Sequence, residues 1–210
     1  MTYTIIAKDE KTGNLGIAMA SRLIACGNCA PFIRHGVGIV SAQATVKQGL
    51  GESILDNMQD GMSIENSIKE SINNKVPEAR QILAMNCNGD SYIFTGEDCG
   101  KITSEYRDDN IIAAGNLLSS DKISKIMVEA YKDNISDDFE VRLCKSLIAG
   151  DQAGGDKRGL KSTALRILPI DELDKSYRSY DLRVDYSKNS IRNIIDLIHD
   201  IKETQYDGLR

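Results

Sequence analysis

The strongest constraint on the fold is a pair of short, almost wholly apolar segments at the start of the chain. Thr2 to Lys8 is a β-branched and apolar run, Asp9 to Asn14 is a turn cluster containing Gly13, and Leu15 to Ala20 is a second apolar run that ends at Ser21-Arg22. Two such runs around a turn make a hairpin. Strands apolar on both sides need cover on both faces, so the hairpin must lie inside a layered structure. Its first residue adds a chemical constraint. Thr2 follows the initiator methionine, so trimming of Met1 would place a hydroxyl and a free α-amino group on one residue at the mouth of a buried strand. That pairing lets a threonine act as nucleophile with its own amine as base. An α-amino group titrates near ~7.7–8.0, which leaves a useful neutral fraction.

The rest of the chain continues the pattern. Arg22 to His35 reads as a loop with Gly27, Asn28 and Pro31, and Gly36 to Ala44 as a buried third strand with Gln43 near its end. Lys47 to Gln59 has helical spacing, Gly61 breaks it, and Ser63 caps a second helix carrying Ile64, Ile68 and Ile72. Ala79 to Cys87 and Ser91 to Thr95 flank Asn88-Gly89-Asp90, a strong hairpin signal. Gly96 to Asn110 reads as polar loop, and Ile111 to Ala114 as a short strand stopping at Gly115-Asn116. Ser120 or Asp121 caps the next helix, another runs from Asp138 to Ala149 and ends at Gly150, and Ser162 to Leu168 is a strand. Asp171 to Asp181 is polar and irregular, Leu182 to Val184 is a short strand, and Ser190 caps a last helix with an isoleucine stripe. His199 packs beside that stripe, and 203–210 is a loose tail. Hairpins and helix pairs therefore alternate. Two stacked, mainly antiparallel sheets with helices outside, a four-layer αββα sandwich of the α+β class, satisfies this order in a single domain over 1–210.

Composition narrows the function. A net charge of −5, with no run of Lys and Arg, argues against a nucleic-acid surface. No apolar stretch approaches the roughly 20 residues that span a bilayer, and the N-terminus lacks the basic and apolar segments of a signal peptide. A cytoplasmic protein with no membrane partner is the expectation. The five cysteines are an odd number in a chain too long for a disulfide scaffold. Cys26 and Cys29 form a C-x-x-C for which redox and zinc readings exist, but His35 and His199 do not stand at metal-ligand spacing, and two buried thiols are the simpler reading. Asp151 and Asp156 lack further ligands for a cation. No metal and no cofactor are expected.

Across almost its whole length the chain resembles a bacterial family known as domain of unknown function 1028, and more broadly the N-terminal-nucleophile hydrolases. The matching pieces are Thr2-x-x-Ile5-Ile6-Ala7-x-Asp9, Gly13-x-Leu15-Gly16-Ile17-Ala18, Ala20-Ser21, Gly36-Val37-Gly38, Ser41-Ala42-Gln43, Gly115-Asn116-Leu117-Leu118, Gly154-Gly155-Asp156-x-Arg158-Gly159-x-x-Ser162 and Asp181-Leu182-Arg183-Val184-Asp185. The resemblance implies the αββα fold and an amide-cleaving enzyme. Proteasome-type threonine proteases, which share the element order, follow the second strand with an acidic residue and a lysine; here Ser21 and Arg22 stand there, so any proton relay is built differently.

The candidate machinery follows. Thr2 is the nucleophile, and Ser21, at the end of a neighbouring strand, is its hydrogen-bond partner. Asn116 is a donor to a developing oxyanion, and Asp156 orients Arg158 or the Thr2 amine. Gln43, Gly115, Arg158 and Ser162 form the substrate side, Gly115 by letting substrate approach the backbone and Arg158 by a bidentate grip on a carboxylate. Strand-end hydrogen bonding and tight turns are the plainer explanations of the same residues. The expected substrate is a small-molecule or short-peptide amide, and a homo-oligomer is expected by analogy. Two other classes stay open: a cyclohydrolase-like enzyme that does not use Thr2, and a non-catalytic ligand-binding or assembly protein.

Overall fold

The computed structural model describes residues 1–45, 49–72, 79–156, 158–170 and 180–207. Its elements are, in order, β1 (Thr2–Lys8), β2 (Leu15–Ser21), β3 (Pro31–Arg34), β4 (Gly38–Ala44), α1 (Leu50–Gln59), α2 (Ile64–Ser71), β5 (Arg80–Asn86), β6 (Ser91–Thr95), β7 (Ser104–Asp108), β8 (Ile111–Asn116), α3 (Ile123–Asp133), α4 (Phe139–Gln152), β9 (Ser162–Leu168), β10 (Asp181–Val184) and α5 (Ser190–Asp207). Six strands form one sheet in the order β10-β9-β2-β1-β8-β7, and four form the other in the order β3-β4-β5-β6. The paired strands run antiparallel.

Three apolar layers hold the sandwich together. Side chains alternate across a strand, and β1 shows the result. Tyr3, Ile5 and Ala7 pack against Ile123 and Met127 of α3 and Leu143 and Leu147 of α4. Ile6 faces the other way and packs between the sheets with Leu15, Ile17, Ile39, Leu83 and Ile112. On the far side Val40, Ile82 and Ala84 meet Ile54 and Leu55 of α1 and Ile68 of α2. The four-layer αββα order expected of the sequence is the one observed. A Cβ on Gly16 would stand 2.5 Å from Leu143 Cδ1 and 2.8 Å from the Phe139 ring, so glycine in β2 is what lets α4 lie this close.

Local structure departs from the sequence reading at identifiable places. The expected loops 22–35 and 96–110 each contain a strand, β3 and β7. Both are edge strands; β3 opens on a proline, which an edge tolerates, and β7 is Ser-Glu-Tyr-Arg-Asp, half solvated and lacking an apolar run. The expected third strand starts at Gly38, not Gly36. Helix α4 continues through Gly150 to Gln152, and α5 carries the expected tail as helix to Asp207. Ser63 caps α2, accepting from Asn66 N at 3.3 Å, whereas α3 starts after Lys122 without a side-chain cap. The first residues of the Lys47 helix and the irregular segment from Asp171 lie largely outside the described residues. Among the described residues no helix is long and apolar enough to cross a membrane.

Candidate active site

The layer between the sheets changes character along its length. At one end it is hydrocarbon, with Ile6, Leu15, Ile17, Ile39, Leu83 and Ile112. At the other, the inward-facing positions of the same strands are Thr2 and Thr4 of β1, Ser21 of β2, Ser41 and Gln43 of β4, Gln81 of β5 and Asn116 of β8, all buried. Strand register makes this coincidence: Thr2 lies opposite Ser21 on one side and Asn116 on the other, and Gln43 lies opposite Gln81. Burying so many polar side chains costs stability unless they satisfy one another, and they do. Thr4 Oγ1 donates to Gln43 Oε1 at 2.7 Å, and Ser41 Oγ donates to the same oxygen at 3.2 Å. Gln43 Nε2 donates to Gln81 Oε1 at 2.8 Å, and Asn116 Nδ2 donates to that oxygen at 3.2 Å. Gln81 Nε2 donates to the Gly115 carbonyl and to Thr95 Oγ1, at 3.1 and 3.0 Å.

This chain of amides ends on Thr2. With its Nδ2 committed to Gln81, Asn116 turns Oδ1 toward Thr2 and accepts from Thr2 N at 3.2 Å. The Thr2 hydroxyl lies 3.0 Å from Ser21 Oγ. Ser21 Oγ donates to the Met1 carbonyl at 2.7 Å and accepts from Leu23 N at 3.0 Å, so its remaining capacity accepts the Thr2 hydroxyl hydrogen. Both functional atoms of Thr2 are thus fixed by buried side chains from the two flanking strands.

Thr2 opens on a cleft of about 390 Å³ whose walls include Arg22, Leu23, Gln43, Asn116, Leu117 and Arg158. That volume suits a small molecule. Two of its wall residues, Ala44 at φ 70° and Leu117 at φ 52°, hold left-handed backbone conformations that non-glycine residues adopt at a cost of about 1–2 kcal/mol. Strain of this kind gathers at ligand sites. At the rim, the Asp156 carboxylate receives Arg158 Nε at 3.0 Å, Nη2 at 2.9 Å and the Arg158 backbone N–H at 2.8 Å, and Arg22 donates to the Arg158 carbonyl. Burial holds the Met1 amine below its ordinary pKa, Arg158 and then Arg22 push the same way, and Asp156 opposes them. Burial would raise the Asp156 carboxyl, but its bonds to Arg158 outweigh that and hold it below the ordinary range. Among the described residues no three His, Cys, Asp or Glu side chains come together as a metal site would need. A larger cleft of about 630 Å³ lies between Met58, Met62, Glu65, Asn88, Tyr92 and Arg107, and none of Thr2, Ser21, Gln43, Gly115, Asn116, Asp156, Arg158 and Ser162 lines it.

A family model described as a family of unknown function, DUF1028, matches residues 2–194. The chain belongs to this family. A crystal structure of a DUF1028 protein from Silicibacter pomeroyi is 28% identical, with a TM-score of 0.85 over 95% of this chain and 88% of that one. Anbu, an ancestral beta-subunit, from Yersinia bercovieri is 12% identical at a TM-score of 0.43, over 99% of this chain and 94% of that one. A Gly-1 mutant of Anbu from Hyphomicrobium sp. strain MC1 is 10% identical at 0.41, over 99% and 97%. No curated protein matches the chain.

In this DUF1028 protein the structure brings together Thr2, Ser21, Gln43, Asn116 and Arg158, with Asp156 directly behind Arg158. It does not bring Gly115 or Ser162 into the cleft wall. A Cβ on Gly115 would stand 2.8 Å from Leu118 Cδ1 and 3.0 Å from Tyr3 Cβ, so this glycine answers to packing and not to substrate approach. Ser162 donates to the Leu23 carbonyl and accepts from Cys26 N at 3.1 Å; it anchors the loop after β2. Asn116 presents an oxygen to Thr2, so it serves as an acceptor and not as the oxyanion donor expected of it. Cys26 and Cys29 are free thiols, Cys26 pushed up to about 11 by burial, which suits the structural reading of the pair. The residue that sequence reasoning missed is Gln81. It opens an apolar strand and belongs to no motif, yet it joins Gln43, Gly115 and Asn116. Replacing Gln81 with leucine should free the Asn116 amide to turn, and the loss of an orienting hydrogen bond of ~1 kcal/mol corresponds to about a fivefold fall in any turnover that depends on it. Steady-state kinetics of folded Gln81→Leu protein reads this directly.

Proposed function

We propose that this protein is an amide hydrolase of the N-terminal-nucleophile type, with Thr2 as nucleophile after removal of Met1, acting on small-molecule or short-peptide amides. The observation that carries this reading is the double constraint on Thr2. Its hydroxyl is held by Ser21 and its nitrogen by Asn116, at the wall of a cleft of about 390 Å³. Once Met1 is gone, the Thr2 nitrogen is an amine. One of its N–H groups goes to Asn116 Oδ1, leaving the lone pair to take the hydrogen of the adjacent hydroxyl. Thr2 Oγ1 then attacks the amide carbon, the amine returns the proton to the departing nitrogen, and an ester to Thr2 remains for water to hydrolyse. Ser21 loses its present acceptor, the Met1 carbonyl, and its hydroxyl turns to the developing oxyanion.

The first experiment is the intact mass of the protein purified from the cells that make it, followed by an amide screen. A mass short of one methionine in active protein supports the mechanism; turnover by homogeneous protein that retains Met1 overturns it. The pH profile gives a second check. The base must be neutral, so kcat/KM should rise with pH and level off. Burial and the guanidiniums of Arg158 and Arg22 lower the Met1 amine while Asp156 opposes them, and trimming would move the amine to Thr2, one residue along the chain and itself buried. The midpoint of the rise is therefore expected below the usual ~8 of an α-amino group. Arg158→Gln, which removes a cation, should move it up.

A further inference from the structure

We infer that the Thr2 cleft selects amides that carry a carboxylate, gripped by Arg22 and Arg158, together with an apolar substituent seated between Leu23 and Leu117. This rests on the hydrolase reading above and names the class of substrate. The rim of the cleft holds two arginines: Arg22 Nη1 bonds the Arg158 backbone carbonyl, and both residues line the same cavity as Thr2. Their charges are unequally compensated. Arg158 is paired with Asp156, while Arg22 has no carboxylate partner among the described residues. The cleft wall also carries a carboxylate, Asp98, which no ion pair ties to either arginine among the described residues, so Arg22 is the cation left unpaired beside Thr2.

The Asp156–Arg158 pair is also built asymmetrically. The Asp156 side chain is 2% exposed and the Arg158 side chain 54%. Burying a carboxylate is costly unless its hydrogen bonds are complete, and here all three that Arg158 supplies go to Asp156. A surface ion pair worth ~0–1 kcal/mol gives no reason for that burial. Holding one edge of a guanidinium rigid does. Two of the five N–H groups are used on Asp156. The other three have no partner among the described residues, and a planar fork with open donors matches a carboxylate bidentately. On the walls of the same cleft, Leu23 and Leu117 are 50% and 49% exposed, large apolar side chains left to solvent at the mouth of a polar site. An N-acylated amino acid, with one carboxylate, one amide and one apolar side chain, has this complement of groups.

The test uses binding, so that it does not depend on turnover. Thr2→Ala protein is titrated by calorimetry at low salt with a panel of N-acetyl amino acids of apolar side chain and with their neutral carboxamides. The acids are expected to bind at least about tenfold tighter than the matched carboxamides, equivalent to ~1.4 kcal/mol, with the difference shrinking as salt is added. The Arg22→Gln/Arg158→Gln double variant should lose the difference. Arg158→Lys, which keeps the charge without the fork, should keep only part of it. Carboxamides binding as tightly as acids, a preference that survives in the double variant, or no acid of the panel binding would each overturn the inference. Unmutated protein is assayed with the same panel. A clear preference for acids in binding, with none of them hydrolysed, would sink the hydrolase reading and leave the carboxylate site standing.

Discussion

Thr2→Ala protein is expected to fold normally and to lose amide turnover by roughly 10⁴-fold or more, the scale seen when a covalent nucleophile is removed. The fold should survive because, of the two bonds that place Thr2 in the site, one runs through its backbone nitrogen and one through its hydroxyl, while its place in the ladder between β2 and β8 does not depend on the side chain. Alanine keeps the first and removes the second. Ser21 keeps its bond to Leu23 N, so no buried group is orphaned. Thr2→Ser should retain activity, since serine carries the same hydroxyl on the same nitrogen. Kinetics on the two variants with matched circular dichroism decides the matter. Full turnover in Thr2→Ala protein would move the chemistry to a residue other than the first one of β1.

The largest effect on stability is expected at the opposite end of β1. Arg142, on α4, has a side chain only 1% exposed. Its Nη1 reaches Asp9 Oδ1 at 3.5 Å and Glu10 Oε2 at 3.2 Å, its Nε donates to the Tyr131 carbonyl at 3.4 Å, and its guanidinium carbon lies 4.0 Å from the Tyr131 ring centroid. One side chain therefore ties α4 to α3 and to the turn between β1 and β2. Asp9 meanwhile holds that turn, accepting from Thr12 N at 3.0 Å and Thr12 Oγ1 at 2.7 Å. Arg142→Ala leaves the buried Asp9 carboxylate without its cation and opens a cavity. Breaking a buried pair in this way costs about 3–5 kcal/mol, which denaturant titration should show as a lower midpoint. Arg142→Lys should fall between, because an ammonium keeps charge but neither the fork nor the stacking. Turnover per folded molecule should hardly change, since β1 spans about 20 Å at ~3.3 Å per residue and puts its far end well away from Thr2.

These two sites show what a linear reading can and cannot reach. The β1–β2 hairpin, the Asn88-Gly89 turn and the isoleucine spacing of α2 and α5 are local signals, and they led to the right layers. Strands β3 and β7 were lost because edge strands are half solvated and need no apolar run. Thr2, Ser21, Gln43 and Asn116 were legible as polar residues ending apolar strands. Gln81 was not, because its meaning depends on register: only when β4, β5 and β8 are aligned does it fall between Gln43 and Asn116. Arg142 was hidden for a similar reason. On a helical wheel an arginine beside Leu143 reads as a solvated face, and only the packing of α4 against the β1–β2 turn makes it a core residue. Gly115 and Ser162 err the other way, being motif residues whose contacts turn out to be structural.

The uneven filling between the two sheets has a consequence for how this protein can be altered. Its hydrocarbon end holds the layers together, while its polar end is satisfied but contributes little, since well-packed apolar replacements of buried polar groups are commonly neutral or stabilising. Converting the glutamines alone to leucines would leave Thr4, Ser41 and Asn116 as buried donors without acceptors, so the network can be exchanged for hydrocarbon only as a whole. A thermostable engineered form should therefore leave the polar end untouched and reinforce the opposite one, where added packing disturbs no buried hydrogen bond.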